Sequence, residues 1–128
     1  MKYLTVAQVL AIHDQMVKRF GGSHGIRDAG LVESAVARPR GTFAGQDFYS
    51  DIFEKAAALL QSLLKNHPFI DGNKRTALTS AAIFLKLNGY NLKNTHKGEV
   101  EFALKVDNEH LDPAAIAKWL KVHSKKAR

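Results

Sequence analysis

Apolar residues recur along this chain at three- and four-residue spacings almost throughout, and no stretch alternates convincingly with the period of two that a half-buried strand requires. The pattern predicts helices. Thr5-Val6-Ala7-Gln8 reads as a capping box opening a helix that runs to about Arg19, where Gly21-Gly22 stops it. Asp28 is placed to cap a second helix, with Leu31, Ala35 and Val36 on one face, ending before Pro39 because proline disfavours helical geometry in the residue ahead of it. Asp51-Ile52-Phe53-Glu54 is another capping box, and Ile52, Ala56, Leu59, Leu60, Leu63 and Leu64 form the apolar stripe of a third helix that stops near Asn66. A fourth helix begins around Gly72-Asn73 and ends at Asn88-Gly89. Its middle (Ala77, Leu78, Ala81, Ala82, Ile83, Phe84, Leu85) is apolar nearly all round, so it is expected to be the central, most buried helix.

A weaker amphipathic helix is expected from Lys97 to about Asn108. Asp112-Pro113 then supplies an N-cap with proline at the first helical position, opening a last helix through Trp119 and Leu120, with Trp119 in the core. The basic tail from Lys121 to Arg128 is expected to fray. One long irregular stretch, Pro39 to Ser50, carries Phe43, Gly45, Phe48 and Tyr49; a loop of that length inside a small bundle is more often functional than idle. The expected fold class is all-α: a single domain over residues 1–128, a compact bundle of about six helices around the Thr76–Leu87 helix, with at most a short irregular hairpin as a flap.

Composition narrows the function. A length of 128 residues, 45% apolar and 24% charged, suits one soluble domain able to bury a core unaided. The absence of cysteine excludes a disulfide scaffold, a thiolate metal site and cysteine-based catalysis. A net charge of +7 points to an anionic partner such as a nucleotide, a nucleic acid or an acidic protein. No helix-turn-helix or other DNA module is evident, so direct nucleic-acid binding is not expected. Gly21-Gly22-Ser23-His24-Gly25 lacks the lysine and hydroxyl residue of a phosphate-binding loop and reads as a connector between helices. The apolar run Thr76–Leu85 is too short to span a bilayer and the first residues lack signal-peptide features, so a cytoplasmic protein without membrane attachment is expected.

Candidate chemistry concentrates in His67-Pro68-Phe69-Ile70-Asp71-Gly72-Asn73-Lys74-Arg75, between the two most apolar helices. Pro68 stops the preceding helix, so His67 should project from a turn, with Phe69 as the anchor holding that turn to the core. Gly72 to Arg75 open a helix whose unpaired N–H groups and positive dipole end suit an anion, and Lys74 and Arg75 add two charges. Asp71 is a hard oxygen ligand beside that anion site, suited to Mg²⁺ shared with phosphate oxygens. His67 can accept a proton at neutral pH. Taken singly, each residue has a plain structural reading as a local hydrogen bond, a helix cap or a solvated charge. Together they spell phosphate chemistry on a hydroxyl acceptor. A zinc site on His67 and Asp71 is disfavoured because two ligands are too few.

This segment resembles the signature of the Fic/Doc superfamily, His-x-Phe-x-(Asp/Glu)-(Gly/Ala)-Asn-(Gly/Lys)-Arg, with every diagnostic position filled. It is most similar to the Doc ("death on curing") branch, toxins of type II toxin–antitoxin pairs. The likeness extends to Leu10-Ala11-Ile12-His13-Asp14, Arg19-Phe20-Gly21-Gly22 and Thr76-Ala77-Leu78, and covers the chain to about Gly89. The resemblance implies that His67 is the catalytic base and that Asp71 coordinates Mg²⁺. It makes Gly72, Asn73, Lys74 and Arg75 the anion-binding nest, with Asn73 and Arg75 contacting phosphates. It places a target-holding flap at Gln46, Asp47 and Phe48 through Ser50, and makes Arg19 a candidate groove residue. Lys74 stands where most Fic enzymes have glycine, and Leu78 where they have a second arginine. In the Doc branch that lysine accompanies a reversed nucleotide, so the resemblance implies transfer of the γ-phosphate of ATP to a protein hydroxyl. The implied target is a threonine of a translation factor such as elongation factor Tu, and the implied partner a small Phd-like antitoxin. The alternative is Fic-type transfer of AMP. A silent binding module that keeps the anion site is the reading from another class.

Overall fold

Local capping signals translate directly into helix starts. In the computed structural model, which describes residues 1–127, α1 (Val6–Phe20) opens on a closed capping box. The Gln8 N–H donates to Thr5 Oγ1 and the Thr5 N–H to Gln8 Oε1. In α2 (Ala29–Ala37) the buried residues are Val32 and Ala35, while Leu31 and Val36 are only half-buried; the inward face is centred elsewhere than expected. Asp28 makes no side-chain cap; its N–H donates to the carbonyl of Pro68 instead. α2 ends ahead of Pro39, as expected. Arg38–Arg40 continue it as a 3-10 turn, where a proline near the start removes no needed donor.

The chain then forms a hairpin, β1 (Thr42–Phe43) against β2 (Gln46–Asp47). Ala44 (φ 53°) and Gly45 (φ 79°) make its two-residue turn, both left-handed, which matches the twist of the paired strands. α3 (Ile52–Asn66) is capped by Asp51, whose carboxylate accepts from the Glu54 N–H. The expected box closes on that side only, because the Glu54 carboxylate accepts from Ser50 instead.

The centre of the bundle is α3, which is a correction. It packs against α2, the 3-10 turn, α5, α6 and α4 (Asn73–Leu87), and nearly everything from Phe53 to Leu64 is buried. Ala56-Ala57-Ala58 let neighbours approach closely on several sides. Two of its polar residues are also inside: Lys55 donates to the Pro39 carbonyl and Asp47, and Ser62 Oγ accepts from Arg38. Counting apolar residues undervalues such a helix. α4 keeps Ala77, Leu78, Ala81, Phe84 and Leu85 buried but leaves Ala82 and Ile83 half-exposed.

β3 (Tyr90–Leu92), α5 (His96–Glu109), α6 (Pro113–Val122) and β4 (Ser124–Lys126) complete the chain. Asp112 caps α6 by accepting from the Ala115 N–H. The described part of the tail does not fray: β4 pairs antiparallel with β3, Lys125 opposite Asn91, and Arg128 lies outside the described residues. Trp119 is half-buried rather than core, stacked between Phe102 and His123 at 3.9 and 4.0 Å. Among the described residues no helix is long and apolar enough to cross a membrane.

Candidate active site

The motif turn starts where α3 runs out. His67 adopts the left-handed conformation (φ 49°, ψ 60°), uncommon outside glycine and concentrated at functional turns. Pro68 follows and blocks continuation of the helix. Phe69, 1% exposed, anchors the turn by stacking on the buried ring of His13 at 3.8 Å and 7°. The exposed side chain of His67 then lines a cleft of about 540 Å³ together with Asp71 and Gly72–Arg75. The opposite walls come from Phe20-Gly21-Gly22 and, on α5, Val100 and Ala103. A groove of about 570 Å³ between α5 and α6 contains none of the motif residues, so the His67 cleft is the candidate site.

α4 enters this cleft without a side-chain cap. Gly72 is its N-cap at φ 81°, a conformation that side chains with a Cβ rarely adopt, and the first N–H groups after it have no acceptor within the helix. An uncapped helix end of this kind, at the positive end of the dipole, is suited to an anion. Asn73 turns its side chain inward: Nδ2 donates to the Phe69 carbonyl (2.8 Å) and Oδ1 accepts from the Phe69 N–H (3.0 Å). Its backbone N–H and the second Nδ2 hydrogen are the donors left over. Asp71 Oδ2 accepts from the Ser23 N–H at 2.9 Å, which orients the carboxylate and leaves Oδ1 without a hydrogen bond among the described residues. The Asp71 carbonyl accepts from His13 Nε2 at 2.8 Å, so that nitrogen carries the proton. The Arg75 guanidinium lies over the Phe20 ring at 4.0 Å. Lys74 lines the cleft with its stem and sends its ammonium to 4.0 Å from Asp107 on α5, a carboxylate that Lys65 also reaches at 3.4 Å.

Residues 3–85 match the sequence model of the Fic/DOC family. The chain belongs to the Fic/DOC family. Toxin Doc of Mycolicibacterium smegmatis is 55% identical over 73 residues, 57% of this chain and 56% of that protein. Protein kinase doc of Escherichia phage P1 is 37% identical over 89 residues, 70% of each chain. The chain thus spans little more than half the length of the first relative. Within this Fic/DOC chain the matched region runs from Tyr3 into α4 and contains every motif residue of the cleft.

The structure brings together His67, Asp71, Gly72, Asn73, Lys74 and Arg75. It does not bring in Arg19, which is exposed on α1 outside the cleft; the helical turn presents Phe20 there instead. Gln46, Asp47 and Phe48 do not line the cleft either. Asp47 is tied to Lys55 near the start of α3, whereas His67 closes its far end. Among the described residues no group of three or more His, Asp or Glu side chains is placed to hold a metal.

Sequence reasoning missed His13, Phe20 and the Gly21–Asp28 connector, which lies along the motif turn. His13 had a signal: it falls in the inward stripe Val9, Ile12, His13, Met16, where an ordinary surface histidine does not belong. A small pocket of about 90 Å³ adjoins the cleft and includes Phe20, Arg75, His96 and Glu99. Burial pushes the Glu99 carboxyl above its ordinary range, partly offset by the nearby His96.

Proposed function

We propose that this protein is a Doc-like toxin that transfers the γ-phosphate of ATP to a hydroxyl of a protein target. The observation that carries the reading is one cleft holding an exposed histidine, an oriented carboxylate and an uncapped helix N-terminus flanked by Lys74 and Arg75. His67 takes the proton of the acceptor hydroxyl while its oxygen forms a bond to the γ-phosphorus. The bond from that phosphorus to the bridging oxygen breaks, and ADP leaves. The N–H groups of residues 73–75 and the Arg75 guanidinium hold phosphate oxygens. Asp71 is the residue to hold Mg²⁺. One carboxylate with a free oxygen is the donor set this ion uses when the substrate phosphates complete its shell. When bound, Mg²⁺ neutralises charge on the transferring phosphate.

The names of the two relatives, a toxin and a protein kinase, support this reading. The proposed target is a threonine of elongation factor Tu, whose modification arrests translation in the cytoplasm. The proposed partner is a small Phd-like antitoxin. A second reading, transfer of AMP to a protein hydroxyl, is favoured by the lean of Lys74 toward Asp107, which leaves the nest more open than a lysine directed into it. The stem of Lys74 still lines the cleft, where glycine would have none.

Incubation with Mg²⁺, a translating extract and ATP labelled at the α or γ position separates the readings. Label entering protein from γ-labelled ATP alone is expected. Incorporation from α-labelled ATP overturns the kinase reading.

A further inference from the structure

The connector between α1 and α2 is bonded along the whole motif turn. The Ser23 N–H donates to the Asp71 carboxylate, and the Gly25 carbonyl accepts from the Ile70 N–H. Ile26 bridges to Phe69, and the N–H groups of Arg27 and Asp28 both donate to the Pro68 carbonyl, at 2.8 and 3.0 Å. The Arg27 side chain completes the run. Nε donates to the His67 carbonyl at 2.7 Å, and Nη2 to the Asn66 carbonyl at 2.6 Å. Three consecutive carbonyls, of residues 66, 67 and 68, are thereby bound by two consecutive residues.

We propose that Arg27 is a positioning residue for His67, holding its backbone in the left-handed conformation from which the imidazole enters the cleft. Each peptide unit is planar, so holding its carbonyl in place restrains the whole unit. The Asn66 and His67 carbonyls belong to the two planes that flank the Cα of His67. Holding both restrains φ and ψ there, and with them the direction of the Cα–Cβ bond. These carbonyls lie at the C-terminal end of α3, where no helical N–H follows to bind them, and a cation is favoured against that end of the dipole. A planar guanidinium spans two carbonyls in a fixed geometry; an ammonium is a single point donor on a flexible stem. His67 is in a conformation that non-glycine residues populate sparsely, so it needs such an outside hold.

The kinetic arm rests on His67 being the base; a second arm does not. The variants are Arg27→Ala and Arg27→Lys, in which the backbone bonds from residues 27 and 28 to Pro68 persist. The imidazole signal of His67 in a ¹H–¹³C NMR spectrum, assigned by its loss in His67→Ala, is expected to be single in the parent and broadened or split in Arg27→Ala. The turnover number for phosphate transfer from Mg²⁺-ATP should fall roughly 10²-fold, the scale of a misplaced reacting group, while KM for ATP stays within about twofold. Arg27→Lys should recover part of both, and carries the test if the alanine variant does not fold. A single His67 signal with unchanged turnover in either folded variant overturns the proposal. So does a loss of melting temperature alone. If the parent transfers no phosphate, the kinase reading fails and the NMR arm still decides the role of Arg27.

Discussion

His67 has almost no packing duty. It is exposed, and the hydrogen bond recorded at this residue is accepted by its backbone carbonyl and not made by its ring. Under the kinase reading, His67→Ala is therefore expected to lower phosphate transfer by roughly 10²–10⁴, the worth of a positioned general base, while the thermal midpoint barely moves. A clear loss of midpoint would assign the ring a packing role. Asn73 is the opposite case. Its buried amide satisfies both the N–H and the carbonyl of Phe69. Asn73→Ala strands two backbone groups inside and should cost about 2–6 kcal/mol in urea unfolding, since each unsatisfied buried group costs about 1–3 kcal/mol. Nucleotide binding by the folded fraction should persist; its loss would show that the side chain contacts phosphate after all.

At the scale of elements, α3 does two jobs: it forms the core and anchors both the hairpin and the motif turn. The hairpin anchor is Lys55, 2% exposed, bonded to Asp47 at 3.2 Å and to the Pro39 carbonyl at 3.1 Å. Burial pulls its ammonium downward, but hydrogen bonds and charge from Asp47 and Tyr3 outweigh it, so the group titrates above its ordinary 10.5. A cation raised in the fold stabilises fully below its unfolded value and loses that contribution as pH climbs through the folded one. The hairpin should therefore stay protected from hydrogen exchange through neutral pH and loosen only above pH 10.5. Lys55→Met should loosen it at every pH. Protection that declines between pH 6 and 9 would place the anchor elsewhere.

At the scale of the whole molecule, the +7 charge bears on association more than on folding. Under the toxin reading, the antitoxin segment that neutralises this protein should be acidic, and co-expression should restore growth of a host making the toxin. Its association rate should fall steeply as salt rises from about 0.05 to 0.5 M, because screening shortens the reach of the field. An association rate indifferent to salt would mean that apolar contact alone recognises the partner.

Helix starts and stops were legible in the sequence because they are local: Thr5 with Gln8, Asp51 with Glu54 and Asp112 with Ala115 all act within one turn. The grouping of the candidate site residues was legible for the same reason. His67, Asp71 and the α4 N-terminus lie within nine contiguous residues, so a single turn brings them together. Other features required the folded chain. Which helix lies at the centre depends on what surrounds Lys55 and Ser62, and the pairing of β3 with β4 joins segments too short to show a period. The support of the motif turn comes from far along the chain, His13 to Asp71 across 58 positions and Arg27 to His67 across 40. A contact at that separation leaves no periodic trace, and only the packing of α1, its connector and α3 brings the partners within hydrogen-bond reach.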